Sequence, residues 1–374
     1  MIRYWLRQVL SFAALALLIL GWTASPASAV TWSTTDLHTG TPLPSGIVTV
    51  NNVQVRWQVG NYLSDGLRIY GLLCTPISLK PPYPVAILNH GLEIVPTGPG
   101  QAVYPAIEAY GFTGCTTMAG HGWLTAISTY RGESIGVTYV RGPIGPLSRF
   151  VATSDGKVEL CLGEVDDVLN LLDAVRAMPD ANSKQVLMWG HSHGSCITER
   201  AIERGAPIEI AVSIDGPTDF ITWNHSPSHL PVFALPRSPA FAGNDPAKLA
   251  NVRLLRIHAE GDVVVTPDQG CELASKIPTM ANYYLTGDVT PPGVFAGNPP
   301  ECSAYSIPWI HGQLLPDEVA NGHWAPTTFL MYSGLSHIAI LIKSWPEFRS
   351  FVNMYAKSDN WHADIPAQVT PMEN

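Results

Sequence analysis

The stretch "QVLMWGHSHGSC" (residues 185–196) places two histidines and a serine between two glycines, directly after an apolar run and directly before residues at helical spacing. Such side chains can ligate a metal, fill a polar turn, or frame an activated serine. Metal binding is poorly served: His191 and His193 are one residue apart in a tight turn, with no carboxylate or further histidine nearby. Gly190-His191-Ser192-His193-Gly194 instead has the G-x-S-x-G form that exposes a nucleophile between a strand and a helix. That turn is too sharp for side chains on its flanks, which gives Gly190 and Gly194 their task. Ser192 is the candidate nucleophile.

A serine hydroxyl is unreactive at neutral pH without a base and an orienting acid. In a strand–turn–helix site these follow in the order Ser, Asp or Glu, His. Asp262 closes the strand "VRLLRIHAEGD" and is the expected acid; Asp215 and Asp219, after the preceding strand, compete with it. His337, in "MYSGLSHIAI" after the final strand, is the expected base. His311 and His323 lie in an irregular segment, and His258 stands inside a strand, where a satisfied core histidine is the ordinary case. The developing oxyanion needs two aimed N–H donors. The residue after the nucleophile, His193, offers one, and Leu92 of "HGL" after "AILN" offers the other.

These residues need a scaffold, and the chain alternates strand and helix signals. "IVTVNNVQVRWQV" reads as a hairpin about Asn51-Asn52, and "GLRIYGLLCTP" as a third strand. "YPVAILNHG", "WLTAISTYRG", "KQVLMWG", "IEIAVSID", "VRLLRIHAEGD" and "TTFLMYSG" are near-continuous apolar runs, the mark of strands buried on both faces. Between them, "TGCTTMAGHG", "VELCLGEVDDVLNLLDAVRAM", "SCITERAIERG", "PDQGCELASKI" and "SWPEFRSFVNMYA" read as helices. The expected fold is α/β: a mainly parallel sheet, antiparallel at its N-terminal edge, with helices on both faces. Two segments break the rhythm, at about 216–250 and about 281–325. The second reads as a lid-like insertion before the last strand. It offers Tyr283, Tyr284, Phe295, Tyr305, Trp309 and Trp324, rings suited to an apolar or aromatic acyl group.

The 374 residues are 46% hydrophobic and 14% charged, enough for one large domain over residues 30–374, and the net charge of −9 comes with no basic cluster. Nucleic acid and a polybasic membrane patch are therefore not expected as partners. Residues 1–29 read as a removable signal peptide: Arg3 and Arg7, a short apolar core, then "ASA". Export to the periplasm or beyond follows, without a stable membrane anchor. Six cysteines in an oxidising compartment favour disulfides. Cys271–Cys302 and Cys115–Cys161 are the expected pairs, with Cys196 as a buried small hydrophobe.

Taken in order, "GLRIYGLLCTP", "YPVAILNHG", "YRGES", "GEVDDV", "GHSHG", "HAEGDVVVTP" and "GLSHIAI" resemble the α/β-hydrolase superfamily over about residues 60–355. Within it the chain looks most like the catalytic domains of prolyl-oligopeptidase-type peptidases and like dienelactone-hydrolase-like or acetyl-xylan-type esterases. The resemblance implies a serine hydrolase with no cofactor and no metal, and structural roles for Arg131, Asp166 and Asp167. It leaves no room for the peptidases' β-propeller. The gap of 75 residues from Asp262 to His337 exceeds the family's usual span and locates the insertion between them. The expected activity is hydrolysis of a small-molecule or polymeric ester. A serine peptidase using the same residues, and a non-catalytic binding protein on the same scaffold, are the alternatives.

Overall fold

The computed structural model describes residues 30–92, 109–140, 147–277, 279–287, 294–311 and 324–367. The expected signal peptide and His323 lie outside the described residues. Asn51 and Asn52 adopt φ of 50° and 61°, the mirror-image turn whose twist suits a two-residue hairpin. They join β1 (Ser45–Val50) to β2 (Val53–Ser64), and β3 (Leu67–Pro76) lies antiparallel against β2. The apolar runs then form β4 (Tyr83–Asn89), β5 (Leu124–Ser128), β8 (Ala181–His191), β9 (Ile210–Ile214), β10 (Arg253–Ala259) and β12 (Thr327–Tyr332). β4, β5, β9 and β12 are buried at every position.

Side chains alternate across the sheet, and the core divides accordingly. On β4, Val85 and Ile87 join one apolar cluster while Ala86 and Leu88 join the other. Helices α2 (Gly163–Arg176), α3 (His193–Glu203) and α5 (Pro267–Ser275) pack into the first cluster through residues such as Val168, Ile197 and Leu273. Helices α1 (Ala109–Gly120) and α7 (Trp345–Ser358) pack into the second through Met118 and Phe351. Two short helices, α4 (Pro231–Ala234) and α6 (Ala339–Lys343), lie in the connections.

The inserted segment begins as a strand, β11 (Ala281–Leu285), which pairs parallel with β12 and extends the sheet. A second element escaped the sequence reading: β6 (Ser134–Val140) and β7 (Leu147–Thr153) form a separate antiparallel pair. The main strand order is β1-β2-β3-β5-β4-β8-β9-β10-β12-β11. β3 is antiparallel to both neighbours, and every pair from β5 to β11 is parallel. This is the order of an α/β-hydrolase sheet, in agreement with the resemblance. The chain leaves β4 toward β5 and returns to β8 on its other side, so a crevice opens where these two strands end.

The cysteines form three disulfides: Cys74–Cys115, Cys161–Cys196 and Cys271–Cys302. The last was expected, but the Cys115–Cys161 pairing and a free Cys196 were not correct. Cys115 belongs to the cluster on one face of the sheet and Cys161 to the cluster on the other, so the sheet separates them. Each bonds within its own face.

Candidate active site

The crevice holds the serine. Asn89 of β4 is paired with Gly190 of β8, which sets the loop after β4 beside the turn after β8. Ser192 caps α3 with φ 56° and ψ −122°, a conformation that non-glycine residues rarely adopt. The two glycines make it possible. A Cβ on Gly190 would stand 2.1 Å from the Gly194 carbonyl oxygen, and one on Gly194 would stand 2.0 Å from that of Asn89. Asn89 Nδ2 donates to Thr198 Oγ1 at 2.9 Å, and that hydroxyl donates to the Gly194 carbonyl at 2.8 Å. One polar chain thus ties the end of β4 to the first turn of α3.

Asp262 and His337 come together at the carboxyl ends of the adjacent parallel strands β10 and β12. His337 Nδ1 donates to Asp262 Oδ2 at 2.6 Å. Asp262 Oδ1 accepts the N–H groups of Val264 and Val265 at 2.8 and 3.0 Å. Burial alone would raise the Asp262 pKa. The hydrogen bond and charge of His337, helped by the Val265 N–H, outweigh it and hold the group below the ordinary carboxylate range. The competing acid Asp215 stands further off, its Oδ2 3.9 Å from His337 Nδ1, and Asp219 instead joins a network with Gln269 and Ser238. His258 is fully buried and donates from Nε2 to the Val265 carbonyl at 2.9 Å.

His337 is tied to the residue before Ser192: His191 Nε2 donates to the His337 carbonyl at 2.9 Å, with ring centroids 4.7 Å apart. Burial, then the neighbouring charge of His337, push the His191 pKa down to about 4, so its ring is neutral at neutral pH. Among the described residues no hydrogen bond joins Ser192 Oγ to His337. Such contacts often tighten only once substrate is bound. Both side chains reach solvent, His337 with 12% of its surface exposed.

His193 begins α3, so its backbone N–H is one of the donors a helix leaves unused. Its ring is buried, accepts the Cys161 N–H at Nε2 (3.1 Å), and has its pKa pushed down to about 3 by burial. Across the crevice, the Gly91 backbone runs against Ser192: a Cβ there would lie 3.5 Å from Ser192 Cβ. Leu92 follows, with its side chain exposed. The sequence reading passed over His90, whose ring nitrogens lie 2.6 Å from the Gly91 carbonyl and 2.9 Å from that of Ser128. The ring also stacks on Tyr130 at 4.2 Å. It fixes the loop bearing Gly91 and Leu92; the "HG" dipeptide was the signal available.

Polar atoms of His191, Asp215 and His337 lie within 4.8 Å of one another, as do those of Asp215, His258 and Asp262. A cation there would have to displace the His337–Asp262 hydrogen bond or the backbone donors on Asp262. Arg131 and Asp167 are structural: the Arg131 N–H and Nε donate to Asp167 Oδ2 at 2.8 and 3.1 Å, and Nη2 donates to Oδ1 at 2.9 Å. The rings of the insertion pack it onto the sheet. Tyr283, Tyr284 and Trp324 are buried, Tyr284 stacks on Phe295 at 4.4 Å, and Trp309 lies 5.8 Å from Phe329. Three chain neighbours of site residues are exposed aliphatics: Leu92 after Gly91, Val263 after Asp262 and Ile338 after His337.

No known family's profile matches the chain, and neither does any curated protein. Solved structures of similar fold include acylaminoacyl peptidase from Pyrococcus horikoshii, 13% identical over 84% of this chain and 43% of that one, with a TM-score of 0.47. They include esterase Pf2001 from Pyrococcus furiosus, 13% identical over 86% and 94% of the two chains, TM-score 0.44. A puromycin-hydrolyzing peptidase from Mycobacterium tuberculosis is 15% identical over 88% and 47%, TM-score 0.46. The chain thus spans less than half the length of either peptidase. At these identities the likeness says nothing of activity.

Proposed function

We propose that the protein is an exported serine hydrolase that cleaves carboxylic esters through Ser192, His337 and Asp262. One observation carries the reading: the His337–Asp262 pair at 2.6 Å is fastened through the His337 carbonyl to His191, the residue before a serine in the strained conformation of a nucleophile turn. Because His337 Nδ1 keeps its proton in the hydrogen bond to Asp262, Nε2 carries the lone pair that takes the proton from Ser192 Oγ. The oxygen attacks the ester carbonyl, and the oxyanion is met by the N–H groups of His193 and Leu92. His337 then returns the proton to the departing alcohol. Water, deprotonated by the same histidine, releases the acid from the acyl-enzyme. No metal or cofactor takes part.

The preference for esters over peptides rests on the leaving group and the mouth of the site. An alkoxide departs more easily than an amide anion, and a peptidase also needs a grip on a charged terminus or on the backbone. Here the side chains beside the site residues are aliphatic, with Leu92 46%, Val263 79% and Ile338 61% exposed, which favours an apolar acyl group. The three disulfides support export, and no helix among the described residues is long and apolar enough to cross a membrane. The test is a rate comparison on p-nitrophenyl esters and aminoacyl-p-nitroanilides. Short-to-medium acyl esters should exceed any anilide in kcat/KM by at least about 10², roughly 2.7 kcal/mol. Comparable rates on a proline or alanine anilide would favour the peptidase reading.

A further inference from the structure

We propose that Asp215 is a proton-bearing positioning residue: a neutral carboxylic acid that donates to the Asp262 carboxylate and takes its place as partner of His337 when Asp262 is lost. The inference rests on the triad reading and adds a fourth residue to it.

β9 and β10 are adjacent and parallel, so the residues that follow them share one edge of the crevice. Asp215, the first residue after β9, is fully buried and held at φ 49° while its N–H donates to the Ile257 carbonyl at 3.0 Å. Its Oδ1 accepts the Ala259 N–H at 2.8 Å, which aims Oδ2 at the site. Oδ2 lies 3.9 Å from His337 Nδ1 and has no hydrogen-bond donor among the described residues. Polar atoms of Asp215, His258 and Asp262 are all within 4.8 Å of one another.

The groups facing Asp215 supply it no proton. His258 on β10 spends its Nε2–H on the Val265 carbonyl, so the nitrogen it turns toward Asp215 Oδ1, 3.8 Å away, is the lone pair. Arg256, also on β10, is paired with Glu199 and reaches the Gly216 carbonyl at 3.3 Å. His191, the last residue of β8, donates to the His337 carbonyl, and the single Nδ1 proton of His337 is engaged in the hydrogen bond to Asp262. Two dry carboxylates this close cannot both ionise. Asp262 has three donors and keeps the charge, so Asp215 keeps the proton. Burial, then the charge of Asp262, raise its pKa well above the ordinary carboxylate value. The acceptor for that proton is the Asp262 carboxylate.

Two consequences follow. The extra donor draws charge from Asp262, making it a weaker partner for the imidazolium that forms as Ser192 attacks. When Asp262 is replaced by a neutral group, the repulsion that helped burial hold the proton on Asp215 is gone, and the freed His337 Nδ1–H becomes a partner that offsets the burial. Asp215 then ionises to solvent and accepts the His337 Nδ1–H.

The experiment compares Asp215→Asn, Asp215→Leu, Asp262→Asn and the double variant Asp215→Asn/Asp262→Asn, each checked for an unchanged melting profile. Asp262→Asn should lose about 10² in kcat, while the double variant should lose about 10⁴, the loss seen when a triad acid is neutralised. Asp215→Leu should move the acidic limb of the kcat/KM profile upward by roughly half a pH unit. Asp215→Asn, whose amide donates from the same place, should return the limb toward that of wild type. Equal losses in Asp262→Asn and the double variant, or an acidic limb unmoved in Asp215→Leu, would overturn the proposal. An infrared comparison reads the proton without turnover: wild type at neutral pH should show the carbonyl band of a buried protonated acid, missing in Asp215→Asn. Absence of that band overturns this proposal alone, whereas a wild type with the band but no activity on esters or anilides overturns the hydrolase reading alone.

Discussion

His191 Nε2 donates to the main-chain carbonyl of His337 at 2.9 Å, so the residue before Ser192 fastens the loop that carries His337. The bond needs only a neutral ring, which burial guarantees at neutral pH. His191→Phe should keep the fold but release the His337 loop. One neutral hydrogen bond is worth about 1 kcal/mol, so kcat should fall by roughly five- to tenfold with KM little changed. Steady-state kinetics on a p-nitrophenyl ester checks this; a changed KM at constant kcat would place His191 in substrate binding instead.

The glycines of the turn admit no side chain. With a Cβ of residue 190 only 2.1 Å from the Gly194 carbonyl, Gly190→Ala must push α3 away from β8. We expect a loss of about 3 kcal/mol or more, read as a lower melting temperature, together with loss of activity. A Gly190→Ala protein as stable and active as wild type would mean that the turn is not built as described.

Cys161–Cys196 clamps the segment that donates to His193 onto α3, four residues past the nucleophile. Non-reducing peptide mapping should recover Cys74–Cys115, Cys161–Cys196 and Cys271–Cys302. By loop closure, opening the 35-residue loop of Cys161–Cys196 should cost about 4 kcal/mol. A Cys161→Ala/Cys196→Ala variant measured by urea unfolding tests the magnitude, and a recovered Cys115–Cys161 peptide would contradict the topology.

On the helix that follows Ser192, Glu199 of α3 forms an ion pair with Arg256 of β10, with neither side chain exposed. Glu199→Met and Arg256→Met should each destabilise by about 3–5 kcal/mol, because each strands a buried charge. Glu199→Met/Arg256→Met should lose less than either single change, since both charges leave together. Chemical unfolding of the three variants decides it; additive single losses would show that the pair is not coupled.

Much of this site could be read from residue order, and the reason is geometric. In a parallel sheet every strand's carboxyl end points the same way, so Leu92, Ser192, Asp262 and His337, each just after a strand, had to share one edge. What order alone conceals is which face of the sheet a helix takes, and Cys115 and Cys161 were mispaired for that reason. Cys196 was rightly placed in the core, yet burial does not exclude bonding. The β6–β7 pair had a signal in the alternation of "SIGVTYV" and "LSRFVAT", but neither run has the unbroken apolar character used to find the parallel strands. The inserted rings showed no periodicity that would separate packing from binding, and the structure spends them on packing. Asp215 and His90 were hidden because their roles depend on neighbours distant in the chain.

The central claim is that Ser192 is a nucleophile activated by His337. A fluorophosphonate probe reports on that directly, because it reacts only with a serine whose proton has an acceptor. Intact-mass analysis followed by peptide mapping should find a single adduct on the peptide bearing Ser192. Labelling should be absent from Ser192→Ala and strongly slowed in His337→Ala. No adduct on the wild-type protein, or an adduct on another residue that survives Ser192→Ala, would contradict the account.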